Sequence, residues 1–426
     1  MIRILFILAV MTLTACQSPV EDDLLYIHAG TLVDVENGTI LKDQMIMVQG
    51  EKIVSVKPWD NSSHLANVID WSAYTVLPGL IDGHTHLLGD IQSNDVLAPI
   101  KATWEDDVSL GTTNALKTLK AGFTSVIDVG SYRAFTDVAL RDAINSGKIL
   151  GPRMTVAGAY VTVSGGGGEV VGGETDIVIP DEFRRGVADN EEEVRARVRD
   201  LIAGGADFIK VIATGAVLTM GTEPGEAEFS EAEMKAAVEE AAKFGKYVTA
   251  HAHGAEGIKM AIRAGMRSIQ HGSLIDDEGL AMMKDKGVWL VADIYNGDYI
   301  NTVGTAEGWP AEILRKNTET TNAQREGFTK AVELGVKIAY GTDSGVYPHG
   351  DNAKQMTYMV RYGLTPMQAI KSATLWGAQS MNLQADVGSI TAGKFADMIA
   401  VKGDVIEDIT HLEHVEAVIK GGVLIP

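Results

Sequence analysis

The alternation of apolar and polar positions divides the chain into three stretches. From residue 24 to about 71 it reads as short runs rich in β-branched and aromatic residues: "LLYIHAG", "QMIMVQG" and "KIVSVKPW". Each predicts a strand, and Gly50-Glu51 between the last two predicts a two-residue hairpin turn. The far end repeats the style in "ADMIAVKGD" and "EAVIKGGVLIP", with Gly421-Gly422 as the turn. Strand-rich ends around a different middle predict one small β-sandwich domain formed from both termini, residues 24–76 plus 384–426.

The middle, residues 77–383, alternates strand and helix. The strands are apolar almost throughout, as parallel strands buried on both faces should be. "TSVIDVG", "RMTVAG", "DFIKVIATG", "KYVTAHAHG", "SIQHG", "VWLVADIY" and "KIAYGTDSG" follow a first strand that ends near His84. Helical patterns separate them. One is capped by Asp189 or Asn190 and stopped by Gly204-Gly205; another opens with Ser230 and Glu233 in capping-box spacing; the last opens at Thr365-Pro366. Eight strands alternating with helices predict an α/β fold, a (β/α)8 TIM barrel, with a doubly wound sheet as the structural alternative.

The first residues break this pattern. Arg3 precedes an apolar run from Ile4 to Leu13, too short to span a bilayer as a helix, which reads as a secretory signal. Its ending, "LTAC", looks like a bacterial lipobox. That resemblance implies a lipoprotein signal peptide over residues 1–16 and lipidation at Cys16, the sole cysteine, so no intrachain disulfide can form. The expectation is an exported bacterial lipoprotein on the periplasmic side, held at the membrane only through the lipid on Cys16. Gln17 favours the outer membrane, and a soluble periplasmic protein is the alternative. At 46% hydrophobic and 22% charged residues the chain has globular composition. Its formal net charge of −21 repels phosphate backbones and argues against nucleic acid as a partner.

In such a barrel the chemistry sits at the C-terminal ends of the strands. There the apolar runs are interrupted by His84 and His86, by Lys210 inside "FIKVIA", by His251 and His253 in "VTAHAHG", by His271 in "SIQHG" and by Asp343 in "GTDSG". Side chains at i and i+2 of a strand point the same way, so His84 and His86 converge. Any one of these histidines could be an ordinary core residue. Five of the ten histidines of the chain at such ends are better explained by one metal site. A lysine flanked by Phe208-Ile209 and Val211-Ile212 cannot reach solvent easily and needs a partner.

With "PGLIDGHTH", the strand-end lysine, the later histidines and "GTDSG", the chain resembles the amidohydrolase superfamily, in the branch of Xaa-Pro dipeptidases and imidazolonepropionase-like enzymes. The resemblance implies a site for two divalent metal ions, usually zinc. His84, His86 and Asp343 would hold the first ion, and His251 and His271 the second. Lys210, converted to a carbamate by CO2, would bridge them; a bare ammonium cannot ligate a cation, but a carbamate offers two anionic oxygens. The implied reaction is cleavage of a C–N amide bond by a bridging hydroxide, with Asp343 as the catalytic proton carrier. An Xaa-Pro-type dipeptidase or carboxypeptidase-like peptidase is expected, acting on a small peptide or amide. A cyclic-amide hydrolase, or an amidase of N-acyl amino acids including ochratoxin-type toxins, are the alternatives. Arg133, Tyr160, His253 and His349 are candidates for touching substrate. The glycine-rich "GAYVTVSGGGGEVVGG" either closes over substrate, through residues 164–173, or lies as a surface loop. It lacks the Gly-Lys-Ser/Thr ending of a phosphate loop. Barrels of this kind commonly assemble through their helices, so a homo-oligomer is possible.

Overall fold

A computed structural model of the protein describes residues 24–60, 65–89, 95, 97–170 and 178–426. The signal segment, Cys16 and residues 171–173 of the glycine-rich stretch lie outside them. No helix among the described residues is long and apolar enough to cross a membrane.

Four strands open the chain: β1 (Leu24–Asp34), β2 (Thr39–Gln49), β3 (Lys52–Pro58) and β4 (Val68–Pro78). The turn between β2 and β3 is Gly50-Glu51, with Gly50 at φ +55°, a conformation that disfavours any side chain. Next come nine strands of the middle: β5 (Leu80–Thr85), β6 (Phe123–Asp128), β7 (Arg153–Val156), β8 (Tyr160–Val161), β9 (Ile209–Ile212), β10 (Val248–Gly254), β11 (Ser268–Leu274), β12 (Trp289–Ala292) and β13 (Lys337–Tyr340). The chain ends in β14 (Met398–Val401), β15 (Val415–Lys420) and β16 (Val423–Leu424).

The first four and last three strands form one seven-stranded sheet, ordered β16-β15-β14-β4-β1-β2-β3. β4 lies parallel to β1 and antiparallel to β14, so the two ends of the chain meet inside this sheet. The sheet curls over: Ile53 N donates to Lys394 O and Ala396 N to Glu51 O, joining β3 to the segment that enters β14. Ile27, Ile46, Ile53, Val76, Met398 and Ile419 fill the space enclosed.

The middle strands are all parallel and lie in chain order, β5-β6-β7 and β8-β9-β10-β11-β12-β13, and most are fully buried, β7 and β8 being half-buried. The third barrel strand is not one strand. "RMTVAG" pairs with β6 only through Val156; Gly158 then turns at φ +80°, and Tyr160–Val161 pair with β9 on the other side. Eight staves therefore come from nine strands. The ring closes where β5 meets β13. Asp343 N donates to His84 O at 2.8 Å and His86 N to Ser344 O at 2.8 Å. The fully buried Asp82 pins this seam, accepting from His84 N, Thr342 N, Thr342 Oγ1 and Asn352 Nδ2 at 2.6–3.2 Å. Gly83 faces the Tyr340 carbonyl so closely that a Cβ would come within 2.7 Å of it. The result is an α/β (β/α)8 barrel joined to a β-sandwich built from both termini.

Candidate metal centre

The C-terminal ends of the barrel strands carry the polar residues, and the fold turns them inward on one cavity. That cavity, about 780 Å³ with its mouth, is lined by His84, His86, Lys210, His251, His253, His271, Asp293 and Asp343, among others. All of them are buried.

Two sets of donor atoms stand out. In the first, His84 Nε2 and His86 Nε2 each lie 3.2 Å from the same oxygen, Oδ1 of Asp343. Both rings are oriented from behind: His84 Nδ1 donates to Gln270 Oε1 at 2.8 Å, and His86 Nδ1 to the Gly130 carbonyl at 3.0 Å. Holding the proton on Nδ1 leaves the Nε2 lone pairs facing Asp343, as a metal ligand requires. Burial, followed by the Lys210 charge, pushes His84 down to about 3, so its imidazole is neutral. For Asp343, burial pushes the carboxyl up, but His84 and His86 outweigh it and hold it well below the ordinary carboxylate value.

In the second set the ligand atoms of His251, His253 and His271 lie within 4.8 Å of one another. The i, i+2 spacing of β10 puts His251 and His253 on one side, with ring centroids 4.6 Å apart. His271 stands 4.5 Å from His251 and 4.8 Å from His84, so it links the two sets. Burial drives His251 and His253 well below the ordinary imidazole value. His271 and Asp343 both adopt left-handed backbone, at φ +67° and +58°, where residues other than glycine are strained. Such strain persists where the surroundings hold a side chain in a required place.

Lys210 is 1% exposed. Burial lowers its amine to about 7, against the pull of Asp343 and Asp293. No hydrogen bond or ion pair among the described residues satisfies it.

Sequence reasoning missed four residues around this centre. Asp293, just past β12, accepts from His271 Nδ1 at 3.0 Å. Gln324 donates to Asp293 Oδ1 at 2.8 Å, reaching in from the helix Ala311–Leu334. Asn296 Nδ2 donates to both Asp293 Oδ2 and Asp343 Oδ2 at 3.1 Å, tying the two carboxylates together. Gln270 orients His84. The polar "D" within "VWLVADIYN" was the available signal, since it breaks an apolar strand at the same depth as the histidines of neighbouring strands.

The four substrate candidates part company. Tyr160 and His253 line the metal cavity; Tyr160 Oη donates to the Gly130 carbonyl at 2.9 Å beside His86, and His253 Nδ1 bonds Ser273 Oγ at 2.8 Å. Arg133 lies outside it. Its guanidinium is consumed by Asp107, by Glu182 and by the carbonyl of Ala102. His349 is buried behind His86, between Thr118 Oγ1 and the His86 carbonyl, and does not reach the cavity.

The described part of the glycine-rich stretch is a wall of the cavity, contributing Gly167 and Gly168. It is pinned: Gly167 N donates to both oxygens of Glu228 at 2.9 and 3.0 Å, and Thr219 Oγ1 donates to Gly167 O at 2.7 Å. Burial raises the Glu228 carboxyl from 4.5 to about 7, against the Gly167 hydrogen bond. The fold thus favours the protonated form. The stability this gives is full below about 4.5 and is lost as pH rises through 7. Glu228→Gln keeps an acceptor for Gly167 N and stays neutral. It is expected to melt higher than wild type at pH 8, by on the order of 1–2 kcal/mol, and level with it at pH 5. Thermal unfolding at the two pH values checks this; an equal shift at both would refute it.

The chain as a whole has known relatives. A profile of the amidohydrolase family matches residues 75–425. Ochratoxinase of Aspergillus niger is 32% identical over 422 residues, covering 93% of this chain and 86% of that protein. A crystal structure of a Xaa-Pro dipeptidase with methionine in its active site superposes with a TM-score of 0.88 at 39% identity, covering 94% of this chain and 99% of that one. A prolidase crystallised with N-methylphosphonate-L-proline gives a TM-score of 0.87 at 29% identity, with coverage of 94% and 99%. The profile match spans the whole barrel and the C-terminal strands of the terminal sheet, and the chain is a member of the amidohydrolase family.

Proposed function

We propose that this amidohydrolase cleaves the C–N amide bond of a dipeptide or an N-acyl amino acid and releases the C-terminal amino acid, using two divalent cations, zinc by resemblance. The observation that carries the reading is the convergence of His84 Nε2 and His86 Nε2 on one oxygen of Asp343, in the same cavity as Lys210, His251 and His271. The donors fit cations: their imidazoles are neutral or ring-oriented, and a buried amine without a partner among the described residues suits conversion to a carbamate. His84, His86 and Asp343 would hold one ion, His251 and His271 the other, with Lys210 shared.

Cations so held acidify water and polarise a carbonyl. The chain supplies the rest. Asp343, held as a carboxylate, takes the proton of the attacking water and delivers it to the leaving nitrogen, which cannot depart as an anion. Asn296, bound to Asp343 Oδ2, keeps that carboxylate from rotating while it changes protonation. Asp293 holds the His271 ring in one tautomer. The buried walls exclude bulk water from the reacting atoms.

A dipeptidase of the Xaa-Pro type is favoured by the solved dipeptidase and prolidase relatives. An N-acyl amino acid amidase is favoured by the similarity to ochratoxinase along 93% of the chain. Initial rates on zinc-loaded protein with Xaa-Pro, Xaa-Arg and aromatic-terminal dipeptides and with N-acyl amino acids test both. Chelator-sensitive turnover of at least one class is expected. Inactivity toward all of them in the metal-loaded protein sinks the reading.

A further inference from the structure

A second cavity, about 1190 Å³ with its mouth, adjoins the metal cavity. His86, Tyr132, Tyr160 and Leu218 line both. Away from that boundary its wall is mainly apolar, with Leu110, Phe183, Trp309 and Ile313 prominent. Part of this wall is shielded from bulk solvent: Trp309 is 5% exposed and Ile313 6%. The charges on the wall are already matched. Arg133 pairs with Asp107 at 2.7 Å and with Glu182, and Asp95 pairs with Lys101 at 2.5 Å. Among the described residues no cation on this wall is left for a substrate carboxylate.

The apolar surface is also continuous. Ile300, Trp309, Ile313 and Val346 form one cluster, with Leu218 packed on it. Ile300 and Val346 face the metal cavity, Trp309 and Ile313 face the second, and Leu218 faces both. A group attached to the scissile amide can therefore extend from the reacting centre over Leu218, the apolar member of the shared boundary, with His86, Tyr132 and Tyr160 lining the rest of it.

We infer that the second cavity is the subsite that sets substrate choice, and that it takes a ring-sized apolar group carried on one side of the scissile amide. The inference rests on the amide-hydrolysing reading and narrows it. Preferred substrates are amides with an aromatic or large branched aliphatic substituent; small polar dipeptides are poor ones. The physical reason is selective burial: apolar area moved from water into this cavity lowers the transition state only for substrates that carry such a group. Ile313 and Leu110, which line this cavity and not the metal cavity, are then specificity residues.

The test compares two pairs of substrates on the full, zinc-loaded protein. In the acyl arm, 2-naphthoyl-glycine is set against acetyl-glycine; in the amine arm, glycyl-naphthylalanine against glycyl-alanine. The bulky member of one arm is expected to exceed its small partner in kcat/KM by about 10–100-fold, and the arm in which this occurs identifies the side that the cavity serves. Ile313→Trp fills the cavity and is expected to lower the bulky substrate more than 10-fold while leaving the small one within about threefold. Leu110→Trp, on the helix Trp104–Lys120, serves if that variant does not fold. A wild-type enzyme indifferent to bulk in both arms overturns the inference, as does an Ile313→Trp variant that loses bulky and small substrates equally. Fluorescence titration with the neutral probe 2-acetylnaphthalene separates this outcome from failure of the functional reading. Saturable binding that Ile313→Trp weakens at least 10-fold upholds the subsite even if none of the four amides is hydrolysed. A wild-type protein that does not bind the probe overturns the subsite whatever the amides do.

Discussion

Lys210→Ala is expected to lower kcat by about 10²–10³-fold or more and to cut the divalent metal that stays bound after gel filtration by about half. The argument starts from burial. Lys210 sits in β9 between Ile209 and Val211, 1% exposed, and its amine has no hydrogen-bonding partner among the described residues. An isolated ammonium there is costly, and burial accordingly drives the amine down to about 7. An uncharged amine is the form that adds to CO2, losing its proton and gaining two anionic oxygens where cations are proposed to lie. Alanine removes those oxygens and leaves space. A short carboxylate such as propionate, supplied at high concentration, is therefore expected to restore part of both the metal content and the rate. Metal content by plasma mass spectrometry and kcat on the best substrate are measured in parallel. A Lys210→Ala enzyme with more than a tenth of wild-type kcat and full metal would show that Lys210 is no ligand.

Much of this centre was legible before any coordinates, because strand periodicity and strand order are written in side-chain type. His84 and His86 share a face through their spacing, and each later histidine interrupts an apolar run at the depth where a barrel strand ends. Asp293 broke its apolar strand visibly, but its role was not legible, and neither Asn296 nor Gln324 left a signal. Nothing local distinguishes a polar residue that turns into the barrel mouth from one that caps the next helix, and Gln324 arrives from the middle of a 24-residue helix. The ion pairs of Arg133 were not legible either. It follows a barrel strand as a substrate-binding cation should, but its partners Asp107 and Glu182 lie 26 and 49 residues away and only the fold brings them together. His349 likewise follows β13 closely, yet the chain folds it behind His86. The strand Tyr160–Val161 was hidden too, since those residues read as the start of the glycine-rich stretch that follows "RMTVAG". The switch of neighbours from β6 to β9 is a property of ring closure, not of that segment.

Asp343→Asn separates proton transfer from architecture, and its expected result is a fall in kcat of about 10²–10⁴-fold with KM changed little and the fold intact. The position is unusually suited to this substitution. Asp343 holds φ +58°, a conformation that asparagine tolerates better than most residues. The amide oxygen can still face His84 Nε2 and His86 Nε2, which lie 3.2 Å from Oδ1 in the native site. What asparagine cannot do is carry a proton between water and the leaving nitrogen. It also presents an NH2 to Asn296 Nδ2, which now donates to Oδ2 at 3.1 Å, so Asn296 must turn over or lose a partner. That cost is local, about 1 kcal/mol, and shows as a drop of a few degrees at most in the melting temperature. Asp343→Ala, by contrast, removes the carboxylate altogether and is expected to lose metal as well as rate. Steady-state kinetics, thermal melting and metal analysis on both variants distinguish the two roles. If Asp343→Asn keeps its metal and also keeps more than a tenth of kcat, Asp343 is a ligand that moves no proton, and the proton must reach the leaving nitrogen from another group in the cavity.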